Sequence, residues 1–472
     1  LAVHSRQPGF FQALLTFGLI VITIGIGLFI LQTSLHSLML LCLLIAGVSA
    51  RCLGADYYSI KKAMNDGIHG ALSAIYIFIL IGVIIAAFIE SGTLATLLYY
   101  GIRLIEPAIF LPAGMLFCTV MSLATGTSWG TVGTAGVVLM SIGESMGFPT
   151  AVVAGMIISG ASFGDKMSPV SDTTNLSAMT SKTDLYAHIK SMSYTGGPVY
   201  LLVLALFTFY GLNYSDSVLP AEHLELLSEG LRSTFSISLW ALLPLLAMLV
   251  LSVRRVSAEL AMAASALVAV LLAVVLQGQA FGVVLNSLFD GGQIRSGVAE
   301  LDTLLERGGI ISMMWTLSLS LIALALGGVL DRFGFLKVLI VGILSRVKRA
   351  ATLVATTIIT SLFGNMGMGE AYMTIILGGQ LFGEAYDKKD IDRSVMSRSL
   401  EEGATLTTAL IPWTTGGAFF ASTLGVSVLE YAPWALLNWM NPLLSIVMAY
   451  SGFALFRTRR VNRAIMDRRA VS

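Results

Sequence analysis

The sequence is short of charge. Asp, Glu, Lys and Arg make up 12% of its 472 residues, about half the roughly 25% of an ordinary soluble protein. Neither sign is in excess, since 28 Lys and Arg stand against 27 Asp and Glu. Without a basic field nothing draws a nucleic acid, and that class is set aside. Cysteine is nearly absent: Cys42, Cys52 and Cys118 lie in or beside apolar runs with no recognisable spacing, and read as small buried hydrophobes. The five histidines, His4, His36, His69, His188 and His223, show no His-x-x-x-His or Cys-x-x-Cys pattern, which argues against structural zinc or haem. No cofactor is expected. No secretory signal with a small-residue cleavage site precedes the first apolar segment, and the opening at Leu1 reads as a trimmed or tag-derived start.

What the sequence has is apolar length. Hydrophobic residues make up 56% and the mean hydropathy is +0.85. A spanning helix needs about 20 mostly apolar residues, and such stretches run over 10–31, 34–54, 71–89, 107–124, 149–163, 195–213, 234–253, 257–277, 309–330, 350–363 and 434–456. Between them lie segments rich in Gly, Ser, Thr and Asn at 125–136, 164–183, 364–380 and 401–425. Unsatisfied backbone in hydrocarbon costs several kcal/mol per group, so such segments survive at membrane depth only when buried in protein or lining a cavity. The expected fold is an all-α polytopic membrane protein with discontinuous helices and re-entrant hairpins.

Lysine and arginine collect on the cytoplasmic side of membrane proteins. Arg457, Arg459, Arg460, Arg463, Arg468 and Arg469 place the C-terminal tail there, as Arg51, Lys61 and Lys62 do for one loop and Arg254 and Arg255 for another. Asp216, Glu222, Glu225 and Glu229 against Arg232 favour the outer side for 214–233. With the first two helices both spanning, the N-terminus is cytoplasmic too. The same charges would also suit ordinary solvated loops.

Landmarks recur at a long period. Gly334 follows Gly92 by 242 positions, Ser361-Leu362 follows Ser122-Leu123 by 239, and Pro412 before Thr414-Thr415 follows Pro169 before Thr173-Thr174 by 243. Residues 93–106 carry only Arg103 as a base, whereas 335–349 carry Lys337, Arg346, Lys348 and Arg349. Opposite bias on matching segments predicts two inverted structural repeats, an architecture whose interrupted segments mark the site; chance similarity among apolar segments is the competing account. The expected division is an N-terminal transmembrane helix over 1–33, a first repeat over 34–213, a connecting loop and helix over 214–256, a second, inverted repeat over 257–456 and a basic cytoplasmic tail over 457–472.

The first break, Thr125 to Thr134, offers hydroxyl and carbonyl oxygens from Thr127, Ser128 and Thr131, a strip suited to a partly dehydrated hard cation. Its small residues would equally serve close helix packing. Gly126-Thr127-Ser128-Trp129-Gly130 formally matches G-x-S-x-G, but a nucleophile elbow needs a preceding strand and a later acid and histidine, so a membrane hydrolase built on Ser128 is the outlying reading and no enzyme is expected. The second break carries Asp165, Lys166, Ser168, Ser171, Asp172, Thr173, Thr174 and Asn175. An ionisable residue within the bilayer is a functional candidate by default, the alternative being a solvated loop. In the second half Asn365, Glu370, Trp413, Thr414 and Thr415 stand in the matching breaks. One of Glu401 and Glu402 could face the interior, but adjacent glutamates read more readily as a solvated helix end, and Glu370 is preferred to either.

The runs Gly126-Thr127-Ser128-Trp129-Gly130-Thr131-Val132-Gly133-Thr134 and Ser159-Gly160-Ala161 through Asp172-Thr173-Thr174-Asn175-Leu176 closely resemble the signature of the NhaC-type sodium/proton antiporter family. Leu400-Glu401, Leu410-Ile411-Pro412-Trp413 and Ala421-Ser422-Thr423-Leu424-Gly425 agree, so the resemblance covers most of the chain. It implies a secondary transporter of a bacterial or archaeal cytoplasmic membrane, driven by Na+ and H+ gradients. Where such relatives tend to show an Asp-Gln pair and then Pro-Gly-Arg after the matching asparagine, this chain has Glu370-Ala371 and Gly378-Gly379-Gln380. The family also includes exchangers of malate against lactate and carriers of amino acids.

Taken together these readings predict exchange of Na+ for H+, with Asp165, Asp172 and Glu370 as ion- and proton-binding groups. Thr127, Ser128, Thr131, Ser168, Ser171, Thr173, Thr174, Asn175, Asn365, Trp413, Thr414 and Thr415 are expected around Na+ or a substrate. Na+ is the only metal expected. A desolvated carboxylate holds its proton more tightly and a bound cation displaces it, so binding one ion releases the other. The alternative keeps the site and adds a small organic acid or amino acid. The expected partners are Na+, H+, the lipid bilayer and such a solute, with a second copy of the chain as a candidate.

Overall fold

The computed structural model describes residues 7–457 except 71, 105, 170, 214–220, 255, 293, 299–300, 303–304 and 307. The expected basic tail beyond Arg457, Arg255 and Asp216 lie outside the described residues, as do the side chains of Arg103 and Glu222. Among the described residues the fold is helical throughout, with no strand and an isolated bridge between Ile391 and Arg457.

Among the described residues, five helices are long and apolar enough to cross a membrane: Phe10–Phe29, Leu35–Cys52, Leu185–Leu212, Met314–Arg332 and Ala350–Met368. Two bent pairs raise this to seven if each is one span: Ile75–Glu90 with Thr93–Tyr100, bent by 68°, and Glu225–Thr234 with Leu239–Met248, bent by 85°. Leu72–Glu90 and Pro107–Thr125 run 19 residues and Ala258–Val275 18, while Phe281–Asp290 and Phe335–Leu344 are shorter apolar helices. Of the apolar stretches of the sequence, 234–253 and 309–330 are divided, the first by the turn before Leu239 and the second at Met313, breaks that hydropathy does not register. Exposed Phe29, Leu201, Phe209 and Val275 give the outer face its apolar character, as a lipid-facing surface requires.

Two breaks share one backbone device. The helix Pro107–Thr125 ends at Gly126 (φ 71°) and Ala350–Met368 ends at Gly369 (φ 70°). Only glycine takes this left-handed cap without strain. The next residue is extended in both cases, Thr127 at φ −149° and Glu370 at φ −147°, and its side chain accepts a hydrogen bond from the helix that follows. Further along, Ser171 caps Asp172–Ser181 and Thr414 caps Thr415–Leu424, each accepting from an amide three residues on; these helices begin and end 243 positions apart (172 to 415, 181 to 424). The contacts cross: Ser128–Thr131 packs on Thr415–Leu424, and Asp172–Ser181 on Ala371–Lys388 and Arg393–Thr408.

Glycine also sets the helix spacing that brings the breaks together. A Cβ on Gly164 would lie 2.3 Å from the Thr119 carbonyl oxygen, and one on Gly403 2.5 Å from that of Ile358. Thr150–Met167 is thus seated against Pro107–Thr125, and Arg393–Thr408 against Ala350–Met368, at small-residue distance.

Candidate ion-binding site

The breaks meet around a cavity of about 420 Å³. Each acid reaches it for a local reason. Asp165 stands in the last turns of Thr150–Met167, where the seam at Gly164 aims it at the first break. There its Oδ2 accepts from the Ser128 amide at 3.0 Å and the Ser128 hydroxyl at 2.7 Å. Glu370 is the residue after the left-handed Gly369, so it caps Ala371–Lys388 by accepting from the Tyr372 amide at 3.4 Å, and its other oxygen accepts from the Thr415 hydroxyl. Asp172 opens Asp172–Ser181 and faces the cavity from the solvent side. Glu259, in the first turn of Ala258–Val275, is a fourth acid on the wall.

No lysine, arginine or histidine lines the cavity among the described residues. The ends of four helices supply the counterweight, since Ser128–Thr131, Asp172–Ser181, Ala371–Lys388 and Thr415–Leu424 all begin at its wall, with their amide ends partly positive. Hydroxyls of Thr127, Ser128, Ser162, Ser171, Thr173, Thr408 and Thr415 complete the polar lining. Trp129 stacks on Phe419, ring centroids 4.8 Å apart and 13° from parallel, so an aromatic pair joins the first break to the Thr415–Leu424 helix beside the cavity. Carboxylates among neutral oxygens are a hard-cation donor set.

Of the residues expected at the site, Asp165, Asp172, Glu370, Thr127, Ser128, Ser171, Thr173 and Thr415 line the cavity. The others stand outside the lining and hold backbone. The Thr131 hydroxyl donates to the Thr127 carbonyl, Ser168 to Leu123, and Thr174 to Asp165 and Lys166. Asn175 donates to Pro169 and Ser171, Asn365 to Ala404, Trp413 to Met366, and Thr414 to Thr408. These groups shape the breaks from which the lining projects.

The sequence reading did not foresee Ser162, Glu259, Tyr372 and Thr408 on the wall; Glu259 was signalled only by an acid at the head of an apolar run. Glu401 and Glu402 require a correction: they are not a solvated helix end but lie within Arg393–Thr408 at 0% exposure. Remote donors hold them. Glu401 accepts from Thr173 at 3.0 Å and Ser177 at 2.6 Å, and Glu402 from Thr195 at 2.5 Å. Lys166, His188 and Arg398 are buried beside them.

An all-helical body with membrane-length apolar helices around an internal acidic cavity is that of a multi-pass membrane protein. The profile of the Na+/H+ antiporter family matches residues 10–174 and 160–453, and the chain belongs to that family. It is 36% identical over 447 residues to the Na+/H+ antiporter NhaC of Alkalihalophilus pseudofirmus, covering 94% of this chain and 96% of that one. It is 37% identical over 407 residues to the malate-2H+/Na+-lactate antiporter of Bacillus subtilis, covering 86% and 87%. The arginine/ornithine antiporter ArcD of Halobacterium salinarum is 31% identical over 455 residues, covering 96% and 94%.

Proposed function

We propose that this chain exchanges Na+ for H+ across the cytoplasmic membrane, with Asp165, Asp172 and Glu370 as the carboxylates over which the two ions compete. The observation that carries the reading is the cavity wall: four acids, a rim of hydroxyls and no fixed cation among the described lining residues. Such a wall favours a small cation, and a cation bound between carboxylates displaces the proton that one of them held. Family membership and the NhaC relatives support the same exchange.

The recurrence of caps at Gly126 and Gly369, and the crossed contacts of the helices that follow, support two halves of inverted topology over 34–213 and 257–456. The cavity wall includes Gly70, Val256 and Ser257, next to the Tyr57–His69 helix that carries Lys61 and Lys62 and close to Arg254. By the bias of basic residues toward the cytoplasm, this is the inward-open arm of an alternating-access cycle, with both termini cytoplasmic.

A second reading adds an organic solute. At about 420 Å³ the cavity falls in the small-molecule range of roughly 300–1,000 Å³, far beyond the needs of one ion, and two relatives bear the names of solute exchangers. The hydrolase reading has no support in the site, where the Ser128 hydroxyl donates to an aspartate. The test is flux in proteoliposomes with imposed Na+, pH and voltage gradients, with and without malate, lactate and arginine. Na+-driven proton movement without added solute is expected and Asp172→Asn is expected to abolish it; proton movement that requires a solute would refute plain exchange.

A further inference from the structure

Behind the cavity lies a second set of ionisable groups that the site above does not use. Lys166, His188, Arg398, Glu401 and Glu402 are all 0% exposed. Their formal charges cancel with the histidine neutral, which is what makes such a group tolerable away from water. The pairing is loose. Arg398 Nε stands 4.0 Å from Glu402 Oε2, the Lys166 ammonium donates to Asn441 at 2.8 Å, and His188 Nε2 stands 4.0 Å from Glu401 Oε2. Among the described residues, His188 Nε2, Glu402 Oε2 and Arg398 Nε have no hydrogen-bond partner. Tight structural ion pairs would leave no such atoms.

Two threonines connect this set to the cavity: Thr405, which stands beside Glu401 on its own helix and lines the wall, and Thr173, which reaches it from another helix. Thr173 lines the wall and donates its hydroxyl to Glu401 Oε1 at 3.0 Å. A hydroxyl has one hydrogen and two lone pairs. With Glu401 ionised, the hydrogen is turned to Glu401 and the threonine lone pairs are left for the Ser171 hydroxyl, 3.2 Å away, and for a cation in the cavity. With Glu401 protonated, the acid donates to the threonine oxygen, takes up a lone pair and turns the threonine hydrogen elsewhere.

We infer that Glu401 is a second proton-binding site of the transport cycle, coupled to the cation cavity through the Thr173 hydroxyl. Release passes the proton from Glu401 to the Thr173 oxygen while the threonine gives its own hydrogen to cavity water, so the threonine is regenerated. The charged and titratable groups facing Glu401 are His188 from Leu185–Leu212, Asp165 and Lys166 from Thr150–Met167 and Tyr372 from Ala371–Lys388. Arg398 and Tyr386 stand by the neighbouring Glu402, and Asp172 heads the helix whose Thr173 and Ser177 hold Glu401. Ala350–Met368 and Leu436–Tyr450 bring amides and hydroxyls there, Asn365 and Asn441 among them. A proton on Glu401 leaves this set one charge more positive and opposes Na+ in the cavity; its loss favours Na+.

The inference rests on Na+/H+ exchange, and the test separates the two. Apparent Na+ affinity is measured as a function of pH by ²²Na+/Na+ exchange and by Na+-driven proton movement in proteoliposomes. In the wild type, competition by a cavity proton and a Glu401 proton together changes Na+ affinity by more than about tenfold and up to about a hundredfold per pH unit. Glu401→Gln is expected to retain ²²Na+/Na+ exchange and to lower that dependence to about the tenfold per pH unit of the cavity proton alone. Thr173→Val is expected to bind Na+ more weakly at every pH, having lost a cavity hydroxyl, and to show the same lowered pH slope without altering the buried charges; Thr173→Ser is expected to restore both. A wild-type slope in Thr173→Val overturns the coupling even if Glu401→Gln fails to fold, and loss of ²²Na+/Na+ exchange in both variants assigns the set to structure. A wild type that moves no proton against Na+ defeats the exchange reading itself.

Discussion

Asp165→Asn isolates what one carboxylate contributes to cation binding. The amide has the shape of the acid and can still accept from the Ser128 amide and hydroxyl, now at 3.0 and 2.7 Å, so the break need not move. What is lost is a full negative charge at the cavity wall. At about 4 Å from a bound cation and an effective dielectric constant near 20, one charge pair is worth about 4 kcal/mol, close to a thousandfold in affinity at 1.4 kcal/mol per decade. Desolvation of the cation offsets part of this, so the expected loss is about 100- to 1,000-fold. Trp129, next to Ser128 and on the cavity wall, provides a fluorescence titration with Na+ in detergent that does not depend on transport. Asp165→Asn protein that melts like the wild type and binds Na+ within about threefold of it would refute the role of this charge.

Two further outcomes concern the framework. Gly164→Val is expected to lower stability by at least about 1–3 kcal/mol, because its Cβ would lie 2.3 Å from the Thr119 carbonyl oxygen and backbone cannot step aside; thermal unfolding in detergent measures it, and an unchanged melting temperature would refute the close seam. Arg398→Leu leaves Glu402 buried without the cation 4.0 Å away, and breaking a buried pair in this way costs about 3–5 kcal/mol. The same melting assay is expected to show a large drop, partly restored by Glu402→Gln in the double variant.

The sequence made the breaks legible because their chemistry is local. A glycine followed by a capping hydroxyl or acid interrupts an apolar run at Gly126-Thr127 and at Gly369-Glu370, and few ionisable residues stand nearby, so Asp165, Asp172 and Glu370 stood out. The helix count was not legible: hydropathy reads 309–330 as one apolar run, whereas the helix breaks at Met313 between Gly309–Ser312 and Met314–Arg332. Neither was the fate of Glu401 and Glu402. Adjacent glutamates in Ser399-Leu400-Glu401-Glu402-Gly403 resemble a wet helix end, and only donors more than 200 positions away, Thr173, Ser177 and Thr195, make their burial affordable. Thr131, Thr174 and Asn365 have the composition of ligands but spend their hydrogens on backbone, which no spacing rule separates from binding.

Cavity charge also bears on which organic solute the second reading admits. A dicarboxylate entering among Asp165, Asp172, Glu259 and Glu370 meets like charge on several sides, and like-charge juxtaposition costs several kcal/mol. The four helix N-termini are worth only about 0.3–1 kcal/mol each toward an anion and already face these acids. An anionic solute therefore needs cations loaded with it, whereas a cationic one of amino-acid size competes with Na+ for the same wall. Malate uptake into proteoliposomes is accordingly expected to vanish when Na+ is replaced by choline at alkaline pH, and arginine is expected to inhibit Na+-driven proton movement competitively. Malate flux that persists without Na+ and without a proton gradient would mean that a fixed cation enters the cavity during the cycle, and the argument from its charge would fall.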